Sequence, residues 1–512
     1  MHQLDFHIKK IARKIVVILL LCVNVSVFSQ HITDTMNFAV GLQELHEYKS
    51  MYILLGEYRE NHPGDVYVEW LYGQAAFYTG RTDEMKSVYK ANISAHPENK
   101  DLLLDYAFKL TDIGELKCAK SLLIDFVEVD TLNFKIYEYL AKIEYWQGNY
   151  TRALRYVDKA LELSHNAVNI KELRNEINRS AKPYVLTNVG YFKDNQPLTK
   201  VHTKVHTGMF VNSLLTPALH IESMVFDSSE NSVHAKKISL HNSFFISQSK
   251  TRGAIGVGTF FYPENSGYMI WNAELEQLLM PTVKLNAQLE RKPYVWLFKN
   301  LDTAVLFNEL KCSITREKKD GIQGELAYQS SLFDDNNAIT TLYGWFVTPL
   351  YVSAKYTIMA GYGYSNTTSK NDIYTHKLDK NELFKEVFLG NDIEGHFHPY
   401  ITPMKQKVNS LIALVSFTPN KKINISLSAS YGFDAEIETP YMYGYFNEEL
   451  DLVVERGYYT EAFEPFEIRV QSRILITPTI IGNVEYKRSY PNFYYQTDFL
   501  EVGIKKVLSY EK

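Results

Sequence analysis

The feature that most constrains the fold of this chain is a change of hydrophobic period at Pro183. From there onward apolar and polar residues alternate with a period of two, the period at which successive side chains of a β-strand point to opposite faces. In 423–433 every odd position is apolar or aromatic, and every even position is small or polar. About 16 segments of this kind lie between 184 and 508, so the sequence predicts about 16 strands over 183–512.

The connections between these segments favour a membrane barrel over a soluble β-sandwich, whose strands would alternate in the same way. Every second connection is short, as at Pro281, Pro349-Leu350 and Thr477-Pro478, whereas the others include the long loops 365–407 and 436–461. An even strand count, with short turns on one side and long loops on the other, is typical of antiparallel outer-membrane barrels. Sixteen strands also leave space for an aqueous lumen.

The alternation assigns each strand residue either to lipid or to the lumen. The residues expected to contact lipid are Leu285, Leu289, Ile423, Ile425, Leu427, Ile468 and Val470. The residues predicted to line the lumen are Lys284, Asn286, Gln288, Glu290, Glu309, Lys311, Gln323, Glu325, Asn424, Ser426, Ser428, Glu467, Arg469, Arg473, Glu485 and Lys487. Hydroxyl and amide groups stand among charges of both signs, so we expect a polar, nearly neutral lining.

Two clusters in the long loops have alternative interpretations. The aromatic residues of the second loop are Tyr441, Tyr443, Tyr445, Phe446, Tyr458 and Tyr459. They could stack on sugar rings at an exit mouth, or form an aromatic girdle or pack within the loop. In the first loop His396 and His398, near Asp392 and Glu394, have side chains that bind metals. We interpret them as a solvated loop and predict no metal and no cofactor.

The N-terminus has the parts of a secretory signal peptide. Lys9, Lys10, Arg13 and Lys14 precede an apolar core at 15–23 and a cleavage site at 27–29. A membrane anchor is the alternative, but the apolar run is short. We therefore expect residues 1–29 to be removed on export. No later apolar run reaches the roughly 18 residues of a spanning helix, which excludes a polytopic helical membrane protein.

Between about 32 and 180 the chain repeats with a different period. Glycines recur 34 residues apart at Gly80, Gly114 and Gly148 (114 − 80 and 148 − 114). Thirty-four is the length of the tetratricopeptide repeat, a pair of helices joined by a turn. The sequence predicts three to four such units over 32–180, with a capping helix at 169–180. These units stack into a curved solenoid that binds protein segments, so a protein partner is predicted.

Charge and motifs exclude several function classes. The net charge of −5 predicts no broad basic face, and therefore no nucleic-acid partner. No catalytic Ser-His-Asp order, phosphate-binding loop or dinucleotide fingerprint occurs. Inward carboxylates could serve hydrolytic chemistry, but that chemistry needs two at a fixed separation, which spacing across strands does not establish. We therefore do not expect an enzyme. Cys118 and Cys312 fall in different predicted domains, so no disulfide between them is expected.

The order of repeats followed by a 16-stranded barrel resembles the outer-membrane exporters of bacterial exopolysaccharides. These are the cellulose-synthase outer-membrane subunit and the poly-N-acetylglucosamine porin. Three short segments are similar to motifs of those families: Arg291-Lys292-Pro293 resembles an Arg-x-Pro rim, 395–402 resembles a Gly-aromatic-Pro segment before a strand, and 319–324 a Gly-rich turn. Three to four repeats are far fewer than in the cellulose subunit.

The resemblance implies an outer-membrane porin of a Gram-negative bacterium, with the repeats in the periplasm. A polysaccharide chain would occupy the lumen, lipid would surround the barrel, and periplasmic or inner-membrane synthesis proteins would bind the repeats. The alternative is a scaffold, assembly or adhesion protein that binds partners through the repeats and transports nothing.

Overall fold

The computed structural model describes most of the chain after residue 30. The described residues are 31–164, 167–195, 198–228, 232–262, 266–280, 282–295, 304–318, 321–353 and 355–508. The predicted signal peptide, residues 1–29, lies outside them. Within these ranges no helix is both long and apolar enough to cross a membrane.

Helices occupy the first part of the described chain. They are α1 (His31–Glu44), α2 (Tyr48–Asn61), α3 (Val66–Tyr78), α4 (Thr82–Ala95), α5 (Lys100–Asp112), α6 (Leu116–Val129), α7 (Phe134–Trp146), α8 (Tyr150–Leu163) and α9 (Val168–Ala181). Helices α3, α5 and α7 begin 34 residues apart (100 − 66 and 134 − 100). The three predicted glycines end the first helix of each pair with φ of 80°, 82° and 76°, a conformation that suits glycine.

The repeats bury their apolar residues between the helices. Leu55, Met85, Leu102 and Leu140 are fully buried. Burying an aliphatic side chain of this size stabilises the fold by about 1.5–3 kcal/mol relative to leaving it in water. Contacts divide the chain into two compact units, Met1–Ile143 and Glu144–Lys512. The end of α7 and helices α8 and α9 therefore belong to the same unit as the strands.

Strands make up most of the chain after α9. They are β1 (Tyr184–Asp194), β2 (Thr199–Gly208), β3 (Thr216–Asp227), β4 (Ser232–Ile246), β5 (Thr251–Phe261), β6 (Gly267–Met280), β7 (Val283–Tyr294), β8 (Val305–Arg316), β9 (Gln323–Phe333), β10 (Ala338–Val352), β11 (Tyr356–Ser369), β12 (Tyr374–His376), β13 (Gly395–Phe397), β14 (Met404–Asn420), β15 (Ile423–Phe446), β16 (Leu452–Ala462), β17 (Phe466–Thr477), β18 (Ile480–Asn492) and β19 (Tyr495–Val507), with helix α10 (Lys380–Leu389) between β12 and β13.

Sixteen of these strands form one closed antiparallel barrel. Strands β1 to β11 pair in sequence, the order continues through β14, β15, β17, β18 and β19, and β19 pairs with β1. Strand β16 pairs with the outer part of β15, while β12 and β13 form a separate two-stranded sheet. The predicted fold class, a helical-repeat segment followed by a 16-stranded antiparallel barrel, is confirmed.

The connections between strands lie at two ends of the barrel, which we call the short-turn mouth and the long-loop mouth. The short-turn mouth carries brief turns, such as 421–422 and 478–479. The long-loop mouth carries residues 370–403, which connect β11 to β14, and the β15–β16 hairpin. Helix α9 leads into β1 at the short-turn mouth, because consecutive antiparallel strands alternate in direction.

Three predicted boundaries are wrong. The expected loop 436–461 is a hairpin, because β15 continues to Phe446 and pairs with β16. Phe433 has no partner on β14 and forms a bulge in β15. The expected turn at Pro349-Leu350 lies inside β10, where a register shift between Pro349 and Tyr351 accommodates the proline. The expected loop 365–407 contains β12, α10 and β13.

Candidate functional site

The inner wall of the barrel is identified by side chains that contact a segment inside it. The ring of Tyr400, from the connection between β11 and β14, stacks on Phe333 of β9 with centroids 3.5 Å apart. Phe333 in turn stacks on Phe307 of β8 at 5.2 Å. Side chains two residues apart share a face, so Glu309 lies on the inner wall with Phe307.

The residues predicted to contact lipid have the opposite parity. Leu285, Leu289, Leu427 and Ile468 are between 39 % and 45 % exposed, although they are large and apolar. Exposed apolar side chains occur on each of the sixteen barrel strands. In water such a surface would drive association, whereas it suits contact with hydrocarbon.

On β7, β8 and β9 the predicted lumen residues are joined by ion pairs. Lys284 Nζ lies 3.4 Å from a carboxylate oxygen of Glu276 on β6. Lys292 Nζ lies 2.8 Å from Glu309 and also contacts Glu290. Lys311 Nζ lies 3.1 Å from Glu325. Asn286 donates to the hydroxyls of Ser313 and Thr315, at 3.3 and 3.2 Å. Gln288 is in register with Lys311, and Gln323 donates to the Lys318 carbonyl. Each carboxylate in this set therefore has a cation beside it.

A second charged set joins β17 and β18. Lys487 Nζ lies 2.7 Å from Glu467, and Arg469 lies 3.4 Å from Glu467 and 3.6 Å from Glu485. Arg473 is in register with Asn424 of β15. As on β7 to β9, the charges of this set largely neutralise one another.

Between the two charged sets the inner wall carries no charge. Strands β10 and β11 and residues 423–433 contain no Asp, Glu, Lys or Arg. The two lysines of β14 pair with Glu436 and Glu438, on the outer part of β15. The hydroxyl and amide residues of this wall include Thr341, Thr357, Ser410, Ser416, Asn424, Ser426 and Ser428, and the apolar side chains of Met359, Ile412 and Leu414 lie among them. A quarter of the circumference, four strands of sixteen, thus offers neutral hydrogen-bonding groups.

Sequence reasoning missed a stack of histidines on the inner wall. The rings of His206, His220 and His241, on β2, β3 and β4, lie 4.0 Å apart at each step, with interplanar angles of 13° and 19°. Nearby, Glu501 of β19 lies 2.8 Å from His202 Nε2. The sequence does show that His202 and His206, four residues apart on one strand, share a face. The stack itself depends on the register between strands, which the sequence does not fix.

Residues 370–403 cross the long-loop mouth, and we call them the cross-mouth segment. At one side the backbone N–H of Ile401 donates to the hydroxyl of Tyr294 on β7, at 3.2 Å. At the other side the Phe397 ring lies 4.8 Å from that of Tyr494, between β18 and β19. Strands β7 and β19 are seven steps apart by the shorter way round the barrel, so the segment spans its width.

The carboxylate of Asp372 anchors this segment. Its side chain is only 2 % exposed, and it lies 3.3 Å from the Arg456 guanidinium of β16. The hydroxyls of Tyr458 and Thr402 donate to it, at 3.1 and 2.9 Å. Loss of Arg456 would leave a buried carboxylate without its cation, which is strongly unfavourable.

Apolar side chains fill the lumen next to the long-loop mouth. Phe226 and Phe260 are completely buried and pack with Phe192, Met224 and Leu306. Together with the cross-mouth segment, this cluster closes much of the long-loop end.

The six predicted exit aromatics lie on the β15–β16 hairpin. The rings of Tyr441, Tyr443 and Tyr445 follow one another with centroids 5.8 and 6.3 Å apart, and the Tyr459 ring lies 6.0 Å from Tyr441. The hydroxyls of Tyr443 and Tyr445 donate to Glu455 at 2.7 and 2.9 Å, which lowers the pKa of that carboxyl.

The other face of this hairpin contacts the cross-mouth segment. The Phe446 ring lies 5.2 Å from Phe384 of α10, and the Tyr458 hydroxyl reaches Asp372. The six aromatic residues are therefore divided between an exposed row and an anchor of the cross-mouth segment.

The histidines of the cross-mouth segment do not converge on a metal site. The rings of His396 and His398 lie 6.3 Å apart, at an angle of 51°. In the described ranges no group of three or more His, Cys, Asp or Glu side chains is arranged to hold a metal ion. Cys118 and Cys312 are both free and exposed.

Helices α8 and α9 are attached to the short-turn mouth. Glu172 of α9 lies 2.6 Å from Lys421, in the β14–β15 turn. Arg179 donates to the carbonyl of Pro478, in the β17–β18 turn, at 3.4 Å. The Tyr150 ring of α8 lies 4.3 Å from that of Phe210, after β2. These contacts place the two helices over part of the opening.

Comparisons with known proteins add little to this description. No family model matches the chain, and no curated protein matches it. A solved structure described as a bacterial polysaccharide outer membrane secretin is similar to 64 % of this chain and 99 % of its own, with 8 % identity and a TM-score of 0.44. MamA from Desulfovibrio magneticus RS-1 covers 30 % of this chain and 86 % of its own, with 14 % identity and a TM-score of 0.27. The structure of PilF of Pseudomonas aeruginosa is similar to 28 % of this chain and 66 % of its own, with 15 % identity and a TM-score of 0.26. These similarities are too weak to carry an inference about function.

Proposed function

We propose that the chain is an outer-membrane barrel through which an exopolysaccharide leaves the cell, without chemistry at the barrel. The inner wall supports this proposal. Its uncharged quarter and its paired charges offer many weak, repeated contacts, which let a hydrated polymer slide, whereas one strong site would trap it. Because each charged set is largely neutralised internally, the proposed polymer carries little charge.

The proposed orientation places the short-turn mouth and the helices in the periplasm, since bacterial barrels have their short turns there. The repeats would then bind a synthesis or modification enzyme. Holding that enzyme near the pore raises the effective concentration of product at the entrance.

A second candidate function is that of an outer-membrane scaffold, assembly or adhesion protein. The cross-mouth segment and the apolar cluster at the long-loop mouth favour it, because a scaffold needs no open path. The export proposal instead requires the cross-mouth segment to move when polymer passes.

A strain that lacks the gene separates the two candidates. The export proposal predicts that extracellular polymer falls while intracellular precursor persists. The full chain should restore secretion, and a variant without residues 32–180 should restore less of it. The matched control is a full chain with Cys312→Ser, a small change at an exposed position. Normal secretion by the deletion strain would contradict export and leave the scaffold.

A further inference from the structure

The short-turn mouth contains a cavity of about 890 Å³, which we call the helix-side cavity. It lies between the end of α7, helices α8 and α9, and the inner wall of β4 to β7. Its size is within the range of about 300–1,000 Å³ that small-molecule sites occupy. All of its lining residues belong to the unit Glu144–Lys512.

One side of the helix-side cavity is aromatic. Tyr150 and Phe210 hold their rings 4.3 Å apart at 44°, and Phe245 of β4 lies beside them. Phe245 packs so closely on Gly148 that a Cβ added to this glycine would lie 3.1 Å from its ring. The α7–α8 turn therefore fixes Phe245 at the edge of the cavity. Aromatic rings of this kind offer flat apolar surfaces to a ligand.

The facing side is polar and comes from neighbouring strands. Glu274 of β6 is in register with Gln288 of β7, and Asn286 lies two residues before Gln288 on the same face. Glu274 is exposed and forms no ion pair with any other residue in the described ranges. Amide and carboxylate groups can both accept and orient hydroxyl groups. The cavity thus combines rings on one side with hydroxyl-binding groups on the other, which is the chemistry that a sugar ring requires.

The charges around the helix-side cavity select against acidic ligands. Three carboxylates line it, those of Glu176, Glu274 and Glu276, against one cation, Arg252. The Glu276 carboxylate lies 3.4 Å from Lys284, so part of its charge is compensated. A ligand with carboxylate groups would still meet like charges, which repel it.

We infer that the helix-side cavity binds a short stretch of non-acidic polysaccharide, neutral or amine-bearing, as the chain enters the lumen. The inference rests on the proposed function for the direction of travel. Binding itself depends only on the cavity. The aromatic side stacks on the apolar faces of the sugars, while Asn286, Gln288 and Glu274 bind their hydroxyl or amino groups.

The test is calorimetric titration of the purified full chain in detergent micelles with three hexasaccharides: a glucose hexamer, a glucosamine hexamer and a hexamer of a uronic acid. We expect binding of the glucose hexamer, the glucosamine hexamer or both, and at least tenfold weaker binding of the uronate. Absence of binding by both non-acidic hexamers, or tighter binding of the uronate, would overturn the inference.

Matched variants locate the bound sugar. Asn286→Ala and Tyr150→Ala should each weaken binding about two- to tenfold, through one lost hydrogen bond or one lost stacking surface. Asn61→Ala, the same change at an exposed position of α2, should leave affinity unchanged. Loss of heat-modifiable gel mobility in Tyr150→Ala would show that this variant does not fold. In that case Asn286→Ala and Glu274→Lys test the inference. Glu274→Lys should reduce the difference in affinity between the non-acidic hexamers and the uronate. Equal effects of Asn286→Ala and Asn61→Ala on affinity would place the ligand elsewhere.

The outcome is separable from that of the proposed function. Binding in vitro combined with normal secretion by the deletion strain would support the sugar site and contradict export. Absence of binding combined with lost secretion would contradict the site and leave export standing.

Discussion

The helical repeats and the barrel use apolar residues in opposite ways. In the repeats Leu55, Met85 and Leu102 are completely buried between helices. In the barrel Leu285 and Leu427 stay 40 % and 39 % exposed on the outer wall, and the polar residues turn inward. A repeat is thus stabilised by removing apolar surface from water through its own packing. The barrel wall leaves that surface for lipid to cover, so each unit requires a different solvent.

The comparison also explains where polar groups are tolerated. Inside the repeats, a buried polar group finds a partner in the protein, as where Asn92 donates to the carbonyl of Val66 at 2.9 Å. Inside the barrel, charges face a lumen and pair across strands, as Lys292 does with Glu309. A charged residue should therefore be tolerated on the inward face of a barrel strand but not on the buried face of a repeat helix.

The largest effect is expected in the repeat core. Leu102→Ala should lower the unfolding free energy of the helical segment by about 2–5 kcal/mol, because it leaves a cavity at a fully buried position. Helical circular dichroism during thermal unfolding measures this loss. Leu132→Ala, the same change at a residue 75 % exposed, should have almost no effect. Equal losses for the two variants would contradict the described core.

In the barrel a charged substitution should be destabilising on the outer wall and tolerated on the inner wall. Leu427→Arg places a charge on the outer wall and should cost about 2–4 kcal/mol near the membrane midplane. Ser426→Arg, one residue away on the inner wall, should be tolerated. The fraction of membrane-inserted protein with heat-modifiable gel mobility reports the difference. Equal tolerance of both variants would show that the register of β15 is wrong.

A smaller effect is expected from replacing glycine with alanine at a repeat turn and, as a comparison, inside a repeat helix. Gly80→Ala should destabilise the helical segment by about 1–2 kcal/mol, since Gly80 has φ of +80° and an added Cβ would touch nothing, leaving only backbone strain. Gly41→Ala, inside α1 and equally free of contacts, should stabilise it by about 0.5–1 kcal/mol. Thermal unfolding of both variants should give changes of opposite sign.

The smallest effect is a pH dependence of the β15–β16 hairpin. The hydroxyls of Tyr443 and Tyr445 lower the pKa of Glu455 below its usual value of 4.5. The hydrogen bonds therefore stabilise the hairpin above pH 4.5 and lose that contribution as the pH falls through the lowered pKa. The protection factors of the amide hydrogens in 441–458, which compare the measured exchange rate with the intrinsic rate at the same pH, should fall over that range. Glu455→Gln should remove this pH dependence, and an unchanged profile in the variant would contradict the assignment.

Period and composition predicted the architecture because both are local. The 34-residue step and the two-residue alternation each follow from geometry that every unit repeats. The alternation continues beyond Phe433 to Glu438, but Pro440 and Gly444 in the extension of β15 are residues typical of loops. The His206–His220–His241 stack and the anchoring of Asp372 by Arg456 were missed because both join distant residues through cross-strand register. The alternation along one strand shows which face of the barrel a side chain lies on, but not which side chains of the neighbouring strands it contacts.

If the chain is a pore, its lumen is a water-filled path that the cross-mouth segment closes at the long-loop mouth. Ion conductance of the full chain in planar lipid bilayers tests it directly. The native chain should conduct little. Arg456→Ala, which removes the cation beside Asp372, should increase the open conductance or its frequency, whereas Arg488→Ala, the same change at an exposed arginine that pairs with Asp498 at 3.8 Å, should not. A chain that inserts and stays closed, even after residues 373–398 are replaced by a short flexible linker, would contradict the claim.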